Sequence, residues 1–469
     1  MDFRNIKVTV VGLGESGVKS ALLLFEEGAV VNVTDGAESE TVFKNAALLK
    51  SKCLETEIGK HTAQFLNKTN ILVVSPGVED GSLPIRYAEE NGIPVISELE
   101  LGFLFCKGPI IGITGTNGKS TVCTLLGDIL REGALKVNVC GNIGNALSGE
   151  VKKITKNTTV VLEVSSFQLE RIKSFRPAIS VILNVTEDHL DRYKTFQEYL
   201  DAKKKIFCNQ NKNDIIILNY DDPVLKSLAK THKFLPRVLF FSAKEKVEGA
   251  YVDKGEVFVT LKKKTKRLFS LPGSGKAASG ALMPGLKGAH NMENVLACAL
   301  VATLRGVKSS HIEKALKNFK PLAHRLETVA TIDGIEFVDD SKATNIDSTC
   351  RALESPKKRV ILIAGGKDKN LSYDKMAQVI KKTVKTAILI GETKSKMKAA
   401  FGDHVPVKER NTLHDAVIAA FESASPGDRV LLSPMCSSFD MFRDYRHRGE
   451  VFREAVMGLR VKGKNACGQ

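Results

Sequence analysis

The chain has 469 residues, of which 43% are hydrophobic, so its length suits about three globular domains with sizeable cores. Nine scattered cysteines without a C-x-x-C pair argue against a disulfide framework or a zinc site, and they favour reduced thiols in the cytoplasm. No apolar run approaches the ~18 residues of a membrane span, and the first residues run straight into a strand. We therefore expect no membrane insertion and no signal peptide.

The net charge of +16 has two possible meanings, a nucleic-acid partner or attraction of polyanionic small substrates. The lysines are spread along the chain, and the only dense run, residues 262–267, follows a strand-like stretch at residues 256–261. A solvated hairpin end explains that run more simply than a nucleic-acid patch. We expect no nucleic-acid partner, although charge alone does not decide.

The first segment alternates strands and helices. A strand at residues 6–11 leads into a glycine-rich turn at residues 12–17, and a helix at residues 18–27 precedes a strand at residues 30–34 that ends at Asp35. A G-x-G-x-x-G turn with an acid about 20 residues later is typical of a unit that binds a diphosphate at the helix N-terminus and a sugar or base at the carboxylate. A UDP-sugar fits as well as NAD, and a tight turn with close helix–strand packing is the alternative.

Two more short strands close this segment. Residues 71–74 are followed by Ser75-Pro76-Gly77, and residues 94–96 form the next strand. Ligands of parallel sheets collect at the carboxyl ends of the strands, so the Ser75–Gly77 loop is a candidate binding loop.

The second segment opens with an apolar strand at residues 110–114 and a glycine-rich run, residues 115–121, that we call the phosphate loop. A helix follows, so backbone N–H groups would face an anion, Lys119 would supply a positive charge, and Ser120 or Thr121 would ligate Mg²⁺. The run departs from a strict Walker A motif because the leading glycine would fall on Ile113. The alternative is a glycine turn with a surface lysine.

Strands that end in polar residues continue the segment. Residues 159–162 deliver Glu163, which is placed to ligate a nucleotide-bound Mg²⁺; the alternative is the N-cap region of a helix, since Ser165 and Ser166 follow. Residues 178–183 lead to His189, which is a metal ligand or the cap of a turn. The next helix, residues 195–207, carries Lys203, which composition alone does not distinguish from a solvated lysine.

The remainder of the segment changes character. Residues 238–271 are rich in short strand-like pieces with charged turns, which predicts a small antiparallel insert. Helical periodicity returns at Asn291 and Asn294, which are three residues apart and should share a helix face. Residues 320–321 read as a linker.

The third segment repeats the alternation. Apolar strands at residues 335–338, 359–364, 387–390 and 428–432 each end in glycine or polar residues. This pattern predicts a second doubly wound α/β sheet with its own crevice.

Taken together these motifs resemble the Mur ligase family, over nearly the whole chain. The motifs that carry the resemblance are the phosphate loop with its preceding Thr114, residues 163–170, residues 184–193, residues 340–345 and the closing run from residue 432 to residue 449. The resemblance implies three α/β domains: a Rossmann-like UDP-binding domain at 1–97, a central P-loop ATPase-like domain at 98–321 and a Rossmann-like domain at 322–469.

The resemblance also implies an activity. Residues 340–345, Asp-Ser-Lys-Ala-Thr-Asn, point to the family member that adds D-glutamate to UDP-N-acetylmuramoyl-L-alanine through an acyl phosphate, with release of ADP and phosphate. Another amino-acid ligase, of the Mur or folylpolyglutamate type, is the nearest alternative. A nicotinamide oxidoreductase is the alternative from another class.

Site residues follow from the resemblance position by position. The implied ATP contacts are Gly115, Thr116, Asn117, Gly118, Lys119, Ser120, Thr121, Asn291, Asn294, Arg325 and Asp340. The implied contacts of the UDP substrate are Gly14, Glu15, Ser16, Asp35, Ser75, Gly77, Asn142, Ser165 and His189. The implied contacts of D-glutamate are Lys342, Thr344, Lys369, Ser438 and Tyr445.

The implied catalytic residues are Lys119, Glu163, His189 and Lys203. Two Mg²⁺ ions are expected, held by Ser120, Glu163, His189 and Lys203, with Lys203 carbamylated by CO₂. We further expect a cytoplasmic monomer.

Overall fold

The structure, a computed structural model, describes residues 2–271, 289–354 and 359–465. It divides into two compact units, which we call unit 1 (Met1–Val185 and Gln197–Phe319) and unit 2 (Thr186–Phe196 and Lys320–Gln469). Within the described residues the strands form three sheets, of five, nine and six strands. No helix among these residues is long and apolar enough to cross a membrane.

The first sheet lies in unit 1 and is entirely parallel, in the order β3-β2-β1-β4-β5. Its strands are β1 (Lys7–Val11), β2 (Val30–Asp35), β3 (Glu55–Ile58), β4 (Ile71–Val74) and β5 (Val95–Ser97). The accompanying helices are α1 (Glu15–Glu26), α2 (Glu40–Lys50), α3 (Ala63–Leu66), α4 (Leu83–Glu90) and α5 (Glu98–Phe105).

Helix α1 begins three residues earlier than predicted. Gly14 is its extended N-cap and Glu15 lies in its first turn, where the helix dipole favours an acidic side chain. The apolar periodicity that guided the prediction starts only at Val18, so the polar first turn escaped it. The edge strand β3, Glu55–Ile58, was missed for a similar reason, because its side chains are exposed or half-buried.

The second sheet, also in unit 1, has the order β14-β13-β12-β11-β10-β9-β6-β8-β7. Its strands are β6 (Ile110–Thr114), β7 (Val137–Gly141), β8 (Thr159–Glu163), β9 (Ile179–Ile182), β10 (Ile215–Asn219), β11 (Arg237–Ser242), β12 (Gly249–Asp253), β13 (Glu256–Leu261) and β14 (Lys264–Ser270). The helices are α6 (Lys119–Glu132), α7 (Leu147–Glu150), α8 (Ser166–Leu169), α9 (Phe196–Lys204), α10 (Pro223–Thr231), α11 (Ala289–Leu304) and α12 (Ser309–Asn318).

The centre of this sheet positions the site. Strand β6 is buried along its whole length, and its parallel register sets Ile113 beside Glu163 on β8 and Thr114 beside Ile182 on β9. Parallel strands end at the same sheet edge, so the phosphate loop, Glu163 and the residues after β9 meet there. Helix α6 packs its apolar face on this core together with α11.

The predicted antiparallel insert at residues 238–271 is wrong in part. Strand β11 pairs in parallel with β10, β12 pairs in parallel with β11, and only β12, β13 and β14 run antiparallel. These strands extend the nine-stranded sheet instead of forming a separate piece. Side-chain alternation with a period of two identifies a strand but carries no information about its direction.

The third sheet lies in unit 2, in the order β15-β16-β20-β17-β18-β19, with only β15 antiparallel to its neighbour. Its strands are β15 (Glu327–Ile332), β16 (Ile335–Asp339), β17 (Val360–Gly365), β18 (Val384–Ile390), β19 (Val407–Glu409) and β20 (Arg429–Leu432). The helices are α13 (Ile346–Glu354), α14 (Ala377–Thr383), α15 (Lys394–Phe401), α16 (Leu413–Ser423) and α17 (Tyr445–Asn465). Apolar cores cover both faces of this sheet, as the doubly wound prediction requires.

Candidate active site

The phosphate loop turns sharply between β6 and α6. Gly115 has φ +151° and Gly118, the N-cap of α6, has φ +87° in the left-handed region. A Cβ at Gly118 would lie 2.5 Å from Oδ1 of Asn294. Both the backbone conformation and the close approach of α11 therefore require glycine at position 118.

Lys119 folds back over this loop. Its Nζ donates to the carbonyl oxygens of Gly115, at 2.7 Å, and Thr116, at 2.9 Å. The ammonium thus lies at the N-terminus of α6, the positive end of the helix dipole. An anionic phosphate would meet positive charge from both sources.

Two residues to which the sequence reasoning gave no role fix the loop. The side chain of Asn184 accepts from the N–H of Asn117 at 2.8 Å and donates to its carbonyl oxygen at 3.1 Å. The hydroxyl of Tyr199 lies 3.2 Å from that of Thr116. Asn184 follows an apolar strand just as Glu163 does, so the same strand-end rule could have singled it out.

Glu163 is a buried carboxyl group beside the loop, with 2% of its surface exposed. Its Oε1 accepts from the side chain of Asn142 at 2.8 Å, whereas its buried Oε2 has no hydrogen-bond partner among the residues that the structure describes. A buried oxygen without a donor is costly unless a ligand satisfies it. Together with the hydroxyl of Ser120 in the first turn of α6, it offers the oxygen donors that suit Mg²⁺.

Lys203 lies in the interior of unit 1, with 1% of its surface exposed. Its Nζ donates to the carbonyl oxygen of Gly115 at 3.1 Å and lies 4.4 Å from the centre of the Tyr199 ring. The lysine therefore reaches the phosphate loop, while its predicted role as a carbamylated metal ligand stays a prediction. An ammonium group is not a metal ligand, whereas a carbamate on the same nitrogen would offer carboxylate oxygens.

Two further predictions from unit 1 concern helix geometry. The shared face of Asn291 and Asn294 is confirmed, because the amide of Asn294 donates to the side-chain oxygen of Asn291 at 3.1 Å. Ser165 is the N-cap of α8 and forms a capping box with Gln168. The helix N-cap that the sequence offered as an alternative for residues 163–166 is therefore present. Its predicted contact with the UDP substrate stays a prediction.

In the first sheet Asp35 holds two loops together. Its Oδ2 accepts from the N–H of Leu13 at 2.6 Å and its Oδ1 from that of Ala37 at 2.8 Å. The buried hydroxyl of Ser75 has no hydrogen-bond partner within residues 2–271, 289–354 and 359–465. A Cβ at Gly12 would lie 2.6 Å from its oxygen. Six of the nine residues predicted for the UDP substrate thus lie at one edge of this sheet, with Gly14, Glu15 and Ser16 at the start of α1 and Gly77 in the exposed loop after β4. Asn142 and Ser165 follow strands of the second sheet, and His189 lies in unit 2.

Unit 2 contains the residues predicted for D-glutamate. Lys342 donates from Nζ to the hydroxyl of Tyr445 at 3.1 Å and lies 4.5 Å from the centre of that ring. Burial opposes ionisation of the tyrosine, but the Lys342 ammonium holds the pKa of Tyr445 below its ordinary value. The carbonyl of Ser438, a buried residue, accepts from the N–H of Phe442 at 2.8 Å.

Lys369, predicted to surround D-glutamate, is buried in an ion pair. Its Nζ donates to Asp188 Oδ1 at 2.9 Å and to the carbonyl oxygen of Thr344 at 3.1 Å. Burial favours the neutral acid, yet Lys369 and His189 hold the pKa of Asp188 well below its usual range. His189 also belongs to unit 2 and has a left-handed backbone, with φ +57°.

Arg448 organises this part of unit 2 from within, although no role was predicted for it. It is fully buried, and it donates to the hydroxyl of Ser341 at 3.0 Å, to the Ser341 carbonyl at 2.8 Å and to the Cys436 carbonyl at 3.1 Å. Burial lowers the pKa of Arg448 to about 10, so the group stays charged at neutral pH. It ties helix α17 to the loops that carry Lys342 and Ser438.

Asp340, a predicted ATP contact, is buried and accepts from the hydroxyl of Ser433 at 3.0 Å and from the N–H of Leu326 at 3.3 Å. Burial raises the pKa of Asp340 to about 7, even though Arg325 nearby favours the ionised form. A folded-state pKa above the unfolded value means that stability falls as pH rises from about 4 to about 7.

We expect Asp340→Asn to stabilise the free protein at pH 8 by roughly 3 kcal/mol, because the amide removes a buried charge and can still bond Ser433 and Leu326. The gain should shrink at pH 5, where the folded wild-type protein binds the proton itself. Thermal midpoints of both proteins at the two pH values measure this. Equal gains at both values would contradict the raised pKa.

A sheet with a parallel centre that carries a phosphate loop, a lysine folded over that loop and a buried acid at one edge defines an α/β protein of the nucleotide-binding class. Family models match three consecutive regions: Mur ligase MurD-like, N-terminal domain at residues 6–97, Mur ligase middle domain at 113–302, and Mur ligase, glutamate ligase domain at 324–436. The chain belongs to the Mur ligase family.

Relatives match over the full length. The UDP-N-acetylmuramoylalanine–D-glutamate ligase of Koribacter versatilis is 42% identical over 99% of this chain and 100% of its own, and that of Geotalea daltonii is 41% identical over 98% and 99%. Solved structures share the fold at lower identity. UDP-N-acetylmuramate-alanine ligase MurC from Thermotoga maritima gives a TM-score of 0.59 at 17% identity, covering 97% of this chain and 100% of its own. MurF ligase from the same organism, solved with ADP, gives 0.58 at 15%, covering 97% and 96%.

Proposed function

We propose that this chain is an ATP-dependent ligase that joins D-glutamate to UDP-N-acetylmuramoyl-L-alanine, in peptidoglycan precursor synthesis. The observation that carries the proposal is the full-length identity of about two residues in five with relatives that bear this activity in their names. The same identity favours UDP over NAD as the ligand of the first sheet, since those relatives are named as ligases of a UDP-linked substrate.

The reaction joins two anions, so the protein's main task is to hold charge. The L-alanyl carboxylate attacks the γ-phosphorus of ATP, and the bond to the ADP oxygen breaks as the acyl phosphate forms. The amine of D-glutamate then attacks the acyl carbon, loses a proton and expels phosphate. Lys119 and the N–H groups at the start of α6 stabilise the phosphoryl oxygens while charge moves between them.

Glu163 and Ser120 would hold a Mg²⁺ ion, because both place oxygen donors at the same sheet edge. That ion supplies charge neutralisation between the ATP phosphates and the attacking carboxylate when it is bound. Asn142 orients the carboxyl group of Glu163 through its bond to Oε1. The roles of His189, Arg325 and Asp340, all in unit 2, stay predictions.

Lys203 is proposed to carry a carbamate. The ammonium first gives up one proton; the neutral amine then adds to CO₂ through a new N–C bond and releases a second proton, so a buried cation becomes an anion. Lys203→Ala should reduce turnover about 100-fold or more, and short-chain carboxylic acids should restore part of it by replacing the lost carboxylate. Wild-type turnover in Lys203→Ala, measured as phosphate release, would refute the carbamate.

The D-glutamate contacts proposed for unit 2 form two groups. Lys342 with Tyr445, and Lys369 with Thr344, each place an ammonium close to a polar oxygen, while Ser438 lies in the loop after β20. The ammonium of Lys342 suits a substrate carboxylate, whereas that of Lys369 already neutralises Asp188.

The proposal is tested by phosphate release from ATP with UDP-N-acetylmuramoyl-L-alanine and, in turn, D-glutamate, L-glutamate, L-alanine or a diamino acid. Release that depends on D-glutamate is expected, with the other amino acids near background. Phosphate release with another amino acid and not with D-glutamate would mean that the chain is a different amino-acid ligase.

We also propose that the enzyme works in the cytoplasm as a monomer. Sedimentation at micromolar concentration would test the monomer.

A further inference from the structure

The loops that follow β2 and β3 contain a single ring, the imidazole of His61. These loops comprise residues 36–39 and residues 59–62, and their other residues are glycine, alanine, serine, threonine, lysine and glutamate. They lie at the carboxyl edge of the first sheet, since β2 and β3 are parallel neighbours and Asp35 pairs in register with Ile58. Ligands of open parallel sheets bind at this edge.

The imidazole is held from one side only. Its Nδ1 lies 2.8 Å from the hydroxyl of Thr34, a fully buried residue on β2. That hydroxyl also lies 3.2 Å from a carboxylate oxygen of Glu57 and 3.3 Å from the Lys60 carbonyl, both of which only accept hydrogen bonds. A hydroxyl has one proton, and we assign it to one of these two acceptors, so that the oxygen accepts from Nδ1–H of His61.

This arrangement fixes the tautomer of the ring. With the proton on Nδ1, neutral His61 presents an unprotonated Nε2, which makes no hydrogen bond within the described part of the chain. Burial lowers the pKa of His61 against the opposing pull of Asp35 and Glu57, which supports the neutral form. The free nitrogen is therefore a hydrogen-bond acceptor.

Gly36 keeps that nitrogen accessible. A Cβ at this exposed position would lie 3.1 Å from Nε2 and 3.5 Å from Cδ2 of His61, so a larger residue would cover the acceptor. The negative charge of Asp35 and Glu57 nearby favours an approaching N–H donor over another acceptor.

We propose that His61 is a specificity-determining residue that reads the base of the nucleotide-linked substrate, with Nε2 accepting the N3–H of uracil. The inference rests on the proposed function, which supplies the uridine. Uracil has an N–H donor at N3, whereas cytosine has a lone pair there. The fixed acceptor of His61 therefore selects uracil and rejects cytosine.

Calorimetric titration with UMP and with CMP, in saturating ADP to occupy the phosphate loop, tests this. We expect the wild-type protein to bind UMP about tenfold or more tightly than CMP, as one lost hydrogen bond implies. His61→Ala and Gly36→Ala should each bring the ratio close to one, while His61→Gln, whose amide oxygen also accepts, should restore part of it. Lys60→Ala, an exposed neighbour, should leave the ratio unchanged.

His61→Ala and Gly36→Ala remove the contact with the base by different routes, so a folding defect in one of them does not decide the outcome. Gly36→Ala leaves His61 and its bond to Thr34 in place and changes only access to Nε2. A wild-type UMP preference in both His61→Ala and Gly36→Ala would overturn the inference. Failure of this inference can be told from failure of the proposed function. Nucleotide titration does not require ligase turnover, whereas the proposed function is tested by phosphate release dependent on D-glutamate in the wild-type protein.

Discussion

Replacement of Glu163 by Gln is expected to lower phosphate release dependent on D-glutamate by about 10³-fold, with little change in folding stability. The amide keeps the size of the side chain and an oxygen that can accept the hydrogen bond from Asn142, which is 2.8 Å long in the wild-type protein. It removes the negative oxygen that has no partner in the described part of the chain and that we assign to Mg²⁺. Losing one such ligand at a phosphoryl-transfer site costs several kcal/mol of transition-state stabilisation.

The measurement is kcat at saturating ATP, together with the thermal midpoint of the variant. Glu132→Gln is a matched control, because Glu132 lies at the far end of α6 in an ion pair with Lys314 at the protein surface. The control should keep wild-type kcat. Turnover of Glu163→Gln within about tenfold of the wild type would mean that its buried oxygen does not take part in phosphoryl transfer.

Lys119→Met should have a similarly large effect, of about 10³-fold on kcat/KM for ATP. Methionine keeps most of the length and apolar surface of the lysine and removes its charge. A unit charge about 4 Å from a phosphate oxygen contributes roughly 4 kcal/mol near a protein surface, which corresponds to this factor. Its Nζ contacts Gly115 and Thr116 of the phosphate loop, so the loss falls on nucleotide handling.

Lys136→Met is the matched control for this change, since Lys136 is exposed and lies between α6 and β7 in the same unit. Titration with nucleotide separates an effect on binding from an effect on turnover. Loss of the charge should weaken the binding of ATP more than the binding of ADP. Equal affinities of Lys119→Met and wild-type protein for ATP would place Lys119 outside the nucleotide site.

The strand-end rule carried the part of the site prediction that came from the residues themselves, and the resemblance implied the other site residues. Apolar runs located β6, β8 and β9, and the residues that follow them do meet at one sheet edge, as the registers of β6 with β8 and β9 require. The rule works because parallel strands share an edge, so the order of strands need not be known. The same rule reaches Asn184, although the sequence reasoning assigned it no role.

Contacts between residues distant in the chain lay beyond the sequence. The partner of Lys369 is Asp188, 181 positions earlier, and Arg448 reaches back 107 positions to Ser341. No local pattern encodes such pairs, because they depend on how separate elements pack. The direction of β11 and β12 also escaped, since alternation of side chains is the same in parallel and antiparallel strands.

Strongly perturbed acids illustrate the same limit. Asp188 and Asp340 are both buried aspartates in unit 2, yet the pKa of Asp188 is held low by Lys369 while burial raises the pKa of Asp340 to about 7. Sequence identifies both as acids near motif residues. The ammonium of Lys369 offsets burial at Asp188, whereas burial outweighs the favourable contacts at Asp340, and this difference separates their charge states.

The central claim is that the chain activates a carboxylate by transferring the γ-phosphoryl group of ATP to it. The most direct measurement uses UDP-N-acetylmuramoyl-L-alanine labelled with ¹⁸O in the alanyl carboxylate, with D-glutamate and ATP, followed by mass spectrometry of the released phosphate. We predict phosphate that carries one ¹⁸O atom from the carboxylate and a product one glutamyl residue heavier than its substrate. Unlabelled phosphate accompanying amide formation would contradict the claim.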